Sequence, residues 1–357
     1  MSNISKVSFN NKNSPFFDAL RSKVDNYFKS NNIKQTGNYK LFIKTGILLS
    51  LITATYIVLV FFTPPVWISI SLCCLFGLNL AAIGFNVMHD GAHGSFSSKR
   101  FVNEAMAYSL NLMGGNSFLW KAKHNLNHHS FTNIHGMDDD IDIEPWIRVH
   151  KEHKKYWFHR FQHIYWVILY GVTYLLWVYV KDFDKYFKGK VANTPIRKMS
   201  NTEHFVFWFS KAVNVALFIV LPIIFVGFWE TVIGYSVIAF VTGFVIAIVF
   251  QLAHIMEDTK FPMPDDNTNK IEEEWAIHQV KTTANFSTRS RIISWYTGGL
   301  NFQVEHHLFP KVSHIHYPQI SKFVRETCEQ FNVRYIEYPT LLSAVRSHVM
   351  FLKQSGV

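Results

Sequence analysis

Four runs of about twenty mostly apolar residues interrupt an otherwise polar chain, at 42–62, 66–88, 205–227 and 231–253. A helix rises about 1.5 Å per residue, so each run is long enough to cross roughly 30 Å of hydrocarbon. The first two are separated only by "FTPP" and the last two only by "FWE", so each pair reads as a helical hairpin with a short tip. Lysines and arginines lie almost wholly on the other side, in the first forty residues, in 99–200 and in the C-terminal tail. The positive-inside rule makes that side cytoplasmic.

A fifth run, "HIYWVILYGVTYLLWVYV" at 163–180, is apolar but rich in Trp and Tyr and flanked by basic clusters. As a span it would carry everything after residue 254 to the side opposite His89 and His93. An interfacial helix, with rings at headgroup depth, avoids that division. The expected fold class is therefore an all-α integral membrane protein: four transmembrane helices in two hairpins, an interfacial helix, and a cytoplasmic helical cap from 89–204 and 255–357. Residues 1–40 read as a cytoplasmic N-terminal arm, 41–330 as the membrane and cap domain, and 331–357 as a C-terminal cytoplasmic tail. The stretch 260–275 reads as an acidic surface loop.

Composition agrees with that class. Hydrophobic residues make up 49% of 357 and charged residues 17%, too apolar for a typical soluble enzyme and too charged for a bare bundle of spans. The net charge of +10 is read as loops held against anionic lipid, with no nucleic acid as partner. Cys73 and Cys74 fall inside an apolar run and Cys328 stands alone, which leaves no disulfide framework or zinc knuckle. The N-terminus lacks the pattern of a cleaved signal, and no lipidation signal ends the chain.

The candidate chemistry is histidine. Eighteen histidines make about one HxxxH match expected by chance, so a single match is weak. His159 and His163 share that spacing in a Lys- and Trp-rich stretch and read as ordinary surface residues, as do His150, His153, His314 and His316. Three clusters stand apart: His89 and His93 in "HDGAH", His124, His128 and His129 in "HNLNHH", and Gln303, His306 and His307 in "QVEHH". Residues four apart share a helix face, and adjacent ones point about 100° apart, so each His-His doublet can serve two centres. His254 closes the fourth run at the depth expected for His89 and joins the candidates. Eight histidines and one glutamine exceed a four-coordinate zinc site and suit two metals of higher coordination number.

With "HDGAH", "HNLNHH" followed by "SFTNIHGMDDDID", and "LNFQVEHHLFP" in place after paired spans, residues 40–330 resemble the membrane fatty acid desaturases. More narrowly they resemble the front-end acyl group, in which glutamine replaces the first histidine of the third box. The resemblance implies two Fe ions that activate O2, as co-substrate, to remove two hydrogens from an acyl chain. The metal ligands it implies are His89, His93, His124, His128, His129, His254, Gln303, His306 and His307. It implies a cis double bond inserted on the carboxyl side of an existing one, delta-6- or delta-5-like, on a linoleoyl-type chain carried by CoA or a lipid. Asp90, Glu305 and the run Asp138, Asp139, Asp140 and Asp142 are candidates to take the free N–H of the imidazoles, Asp90 foremost. Aromatics of "GGNSFLW" (114–120) and "WYTGGLNF" (295–302) are candidates for an acyl channel, with glycines 114, 115, 298 and 299 permitting turns or close approach. His278 is a further candidate that the family pattern does not require.

Many front-end desaturases carry a fused cytochrome b5 domain with an HPGG motif, and that tetrapeptide is absent from this sequence. The expected electron donor is a separate ferredoxin, or cytochrome b5 with its reductase. Membrane lipids complete the expected partners, and in a bacterium the location would be the cell inner membrane. Two other readings compete: an acyl or sphingoid hydroxylase on the same scaffold, and a divalent-metal transporter, which would place its ligands near the bilayer midplane.

Overall fold

A computed structural model describes residues 7–12, 14–141 and 143–357. After α1 (Pro15–Ser30), the first apolar hairpin is α2 (Tyr39–Phe62) and α3 (Val66–His93). The Asn38 side chain caps α2 by accepting from the Lys40 N–H, and Thr63, Pro64 and Pro65 turn the chain. Helix α3 passes through a π-helical turn at Gly84–Met88 and continues to His93, where Gly94, with φ of 75°, stops it. Glycine adopts that left-handed backbone without a Cβ clash. A continuous helix thus carries the chain from the apolar run directly into His89 and His93.

Beyond α3, α4 (Arg100–Ala107) packs on the first histidine box, and α5 carries the second box through Ser117–Lys121, the π-helical Ala122–His128 and His129–Phe131. Then come α6 (Trp157–Lys188), α7 (Asn201–Phe225) and α8 (Phe228–His254). Five helices, α2, α3, α6, α7 and α8, are long and apolar enough to cross a membrane, one more than the four expected spans. Their outward residues are apolar, as Ile43, Phe62, Phe205, Ile224 and Ile233 show. Such a surface is stable against lipid rather than water.

Helix α8 is the centre. It meets α6 where Gly243 faces the backbone of Gly171, so closely that a Cβ would lie 2.6 Å from the Gly171 carbonyl oxygen. Along the same seam Trp166 stacks on Phe244 and the Tyr179 and Tyr235 hydroxyls are 2.7 Å apart. Both ends of α6 are nevertheless tied to the histidine-bearing layer: Gln162 donates to the Arg148 and Leu352 carbonyls, and Lys185 pairs with Asp139 at 2.8 Å.

That layer contains α9 (Trp275–Thr282), α10 (Gln303–Leu308), α11 (Tyr317–Gln330) and α12 (Leu341–Ser355). Phe16, Leu20, Val24 and Phe28, four apart on α1, bury against Val304, Leu308, Ile320 and Val324. Ser8–Phe9 pairs in parallel with Lys270–Ile271, and Asn285–Phe286 with Glu337–Tyr338. His348 on α12 bonds the Tyr170 hydroxyl and the Ile255 carbonyl. Residues 7–12 and 14–40 and the tail therefore belong to the packed body rather than flanking it.

Four histidines expected at the surface are buried: His150, His153, His159 and His314. Protein groups replace water around them. His159 accepts the Tyr156 N–H and donates to the Pro145 carbonyl, His150 accepts the Glu152 N–H, and His314 meets Asp90 at 3.0 Å. The rings of His150 and His153 lie 5.1 and 5.0 Å from that of His135. His163 and His316 are partly exposed.

A buried ion pair joins α6 to α7, with Lys211 Nζ 3.0 Å from Asp182 and also bonded to the Val178 carbonyl. Removing one partner strands the other charge, at a cost of about 3–5 kcal/mol. Asp182→Ala is expected to lower the thermal unfolding temperature of the purified protein sharply, while the double change Asp182→Leu with Lys211→Met recovers most of it. Equal melting of Asp182→Ala and the parent would remove this pair from the stabilising contacts.

Candidate metal centre

Four elements meet at one place. The end of α3 brings His89 and His93, α5 brings His124, His128 and His129, α8 ends on His254, and α10 brings Gln303, His306 and His307. The structure gathers all nine sequence candidates. Two all-histidine groups have ligand atoms close enough to hold an ion, His89, His93, His124 and His306, and His128, His254 and His307, beside a third set of His124, His128 and Asp140. The doublet His306/His307 divides between them, as the 100° offset of adjacent helical residues requires. His129 lies between, its ring 4.6 Å from that of His306 and 4.4 Å from that of His307. Gln303 Nε2 is 3.1 Å from His254 Nε2.

The outward nitrogens are anchored. His128 Nδ1 meets Asp138 at 2.9 Å, His124 Nδ1 meets Asp140 at 3.0 Å, and His307 Nδ1 meets Gln279 Oε1 at 2.7 Å. His306 Nδ1 lies 3.1 Å from the Tyr317 hydroxyl. Anchoring Nδ1 fixes the ring orientation and leaves the Nε2 lone pair for the interior. The acids are themselves compensated: Lys123 pairs with Asp140 and Lys185 with Asp139. Burial opposes the Asp140 carboxylate, yet Lys123 and the hydrogen bond from His124 hold its pKa well below the usual range.

The interior nitrogens lack such partners. His93 Nε2, His128 Nε2, His129 Nδ1, His254 Nδ1, Gln303 Oε1 and His306 Nε2 are buried with no hydrogen-bond partner among the described residues. Each such group costs about 1–3 kcal/mol when left unmade. His124 and His129 point Nε2 at each other across 3.3 Å, a spacing that suits two ligands of one ion. Burial lowers the His124 pKa to about 4 and holds those of His129, His306 and His307 well below the usual value. These imidazoles are neutral at pH 7 and available to a cation. At His128 burial is overcome by Asp138, and its pKa rises. A convergent set of neutral nitrogen donors with no other partner fits a metal centre.

Other expected residues fall elsewhere. Asp90 takes no ligating imidazole; its carboxylate accepts from Ser313 Oγ at 2.7 Å and faces His314. Glu305 likewise turns away, accepting from Asn285 Nδ2 and the Tyr335 hydroxyl. A helix presents neighbouring residues in different directions, so Asp90 and Glu305 face outward because the histidines beside them face inward. Asp142 lies outside the described residues. His278 contacts the Thr132 carbonyl at 2.9 Å and belongs to neither ligand group. Of the expected channel aromatics, Trp120 stacks on His124 at 4.4 Å and lies within 6 Å of His89 and His93. Trp295 is instead half exposed beside Lys44, and Phe302 is buried in the core under α1. Gln279, Tyr317 and Phe250, which touch the centre, carry no sequence signal because they come from three separate elements.

The sequence model of the fatty acid desaturases matches residues 65–339. The chain belongs to that family. It is 36% identical to an acyl-lipid (8-3)-desaturase of Physcomitrium patens over 97% of this chain and 72% of the relative. It is 35% identical to an sn-1 linoleoyl-lipid 6-desaturase of Arthrospira platensis, over 100% of this chain and 96% of that one. A third relative, an sn-1 linoleoyl-lipid 6-desaturase of Synechocystis, is 34% identical over 98% of each. The protein is thus a membrane oxidoreductase of the desaturase type, acting on fatty acyl chains, with histidine groups compatible with a metal site.

In this desaturase, Asp138→Asn keeps the size of the His128 anchor but removes its charge. Loss of such an outer partner weakens metal affinity by about 10–100-fold. Metal retained after dialysis against a chelator, measured by plasma emission, is expected to fall for Asp138→Asn and to stay at the parent level for Asp90→Asn. The reverse order would show that Asp90, and not Asp138, supports the centre.

Proposed function

We propose that the two histidine groups hold two Fe ions and that the protein desaturates a linoleoyl-type chain on the carboxyl side of its existing double bonds. The observation that carries this reading is the paired nitrogen donor set with its unpartnered interior atoms. His89, His93, His124 and His306 would hold one ion, and His128, His254 and His307 the other, with His129 and Gln303 completing the set. Two irons with O2 supply the oxidising power that an unactivated methylene pair needs, which acids and bases cannot provide. Overall, O2 takes two hydrogens with their electrons from the chain, two electrons delivered one at a time by the carrier and two protons from water, leaving a double bond and two waters.

The protein's own residues orient and exclude. Asp138, Asp140, Gln279 and Tyr317 fix the imidazoles, and Trp120 and Phe250 keep water from the rings. The carboxyl-side position rests on the two relatives named as linoleoyl-lipid 6-desaturases. The histidine layer faces the cytoplasm by its basic flanks, in a bacterium from the inner membrane, and receives electrons there from a separate ferredoxin or cytochrome b5. Four helices cross the bilayer in this reading.

Expression in a host fed linoleate, with fatty acid methyl esters profiled by gas chromatography and mass spectrometry, tests the reading. A more unsaturated product with a new bond on the carboxyl side is expected from the parent and none from His306→Ala. A hydroxylated chain instead would move the protein to the oxygen-rebound class.

A further inference from the structure

Of the nine candidate ligands, eight are buried and only His93 is partly exposed. It borders a surface pocket of about 540 Å³ whose lining includes His93, Gly94, Ser97, Arg100, Glu104 and Lys121. A second pocket, beside Trp275, is lined by none of the nine. One wall is built rather than loose: Asn103 donates to the Ser97 and Gly94 carbonyls and accepts the Ser97 N–H at 2.8 Å. At the rim Lys121 is paired with Glu104 at 2.7 Å, whereas Arg100 has no hydrogen bond or ion pair among the described residues.

The pocket also has a definite depth. It lies where α2 begins and α3 ends, joined by the Gly37 N–H on the Ser95 carbonyl. Phe101, Tyr108 and Leu112, at spacings of seven and four on α4 and the short helix Ser109–Leu112, are all exposed. An apolar face beside basic residues at the end of two apolar helices suits the headgroup zone of a bilayer.

We propose that this pocket receives the ester and phosphate of a membrane phospholipid whose acyl chain is the substrate, with Arg100 binding the phosphate. The inference deepens the desaturase reading and rests on it: a bond placed toward the carboxyl end brings the ester close to the metal centre, and His93 is the candidate ligand that borders this pocket. A guanidinium binds phosphate oxygens through two parallel N–H donors, and an unpaired one at headgroup depth is available for that contact. The phosphate of acyl-CoA offers the same chemistry from the aqueous side, but the exposed rings of α4 favour a lipid-borne carrier.

The test uses the full chain in nanodiscs of neutral glycolipid, doped with a linoleoyl phospholipid bearing a photoreactive diazirine on its headgroup. Cross-linked peptides are mapped by mass spectrometry. Label is expected within 91–104, falling about tenfold in Arg100→Ala, the effect of losing one charge-assisted hydrogen bond, and retained in part by Arg100→Lys. Metal content and melting temperature of both variants should match the parent, since Arg100 is exposed. Label elsewhere, equal label from a neutral linoleoyl glycolipid probe, or preferential label from a linoleoyl-CoA probe would each overturn the phospholipid site. Product formation in the same discs, supplied with reduced ferredoxin and, in a parallel sample, reduced cytochrome b5, is read separately. A double bond formed with label outside 91–104 defeats the headgroup site alone, and label within 91–104 without oxygen-dependent product defeats the desaturase reading while upholding the site.

Discussion

Buried imidazole nitrogens must be aimed, and the rest of this molecule follows from aiming them. An imidazole turned inward to offer a lone pair needs a partner for its outer nitrogen, and here Asp138, Asp140, Gln279 and Tyr317 provide it. Buried carboxylates need cations in turn, so Lys123 and Lys185 lie against Asp140 and Asp139. Lys185 is on α6, where Asp182 one turn earlier holds Lys211 of α7. Charge pairing thus links the acidic run 138–140 beside the centre to two apolar helices.

The apolar helices serve as a frame for that arrangement. Helices α3 and α8 deliver histidines at their ends, which sets the histidine layer at one end of the apolar helices. The close seam of Gly243 on Gly171 lets α6 lie against α8 while both its ends return to the layer. The termini close the other side: α1 buries an apolar stripe over the helix that carries the third box, and α12 holds α6 and the chain just beyond α8 through His348. Oxidation of an inert chain requires a dry, stiff site, and these contacts supply both properties. Among the nine candidate ligands, His93 lines the surface pocket beside Arg100.

The sequence by itself determined the apolar runs, the three boxes and the set of nine donors, because each depends on spacing along one helix or on local composition. It also determined that His306 and His307 would point to different groups, since a helix turns each residue by a fixed angle. Tertiary structure decided the partners. Asp138 and Asp140 meet histidines while Asp90, inside the first box, meets His314 more than two hundred residues away. His150, His153, His159 and His314 read as surface residues because their polarity is visible in the sequence and their buried partners are not. Trp120 and Trp295 look alike in sequence, yet one stacks on His124 and the other lies half exposed. Hydrogen bonds and burial depend on distance through space, and only the packed chain sets that distance.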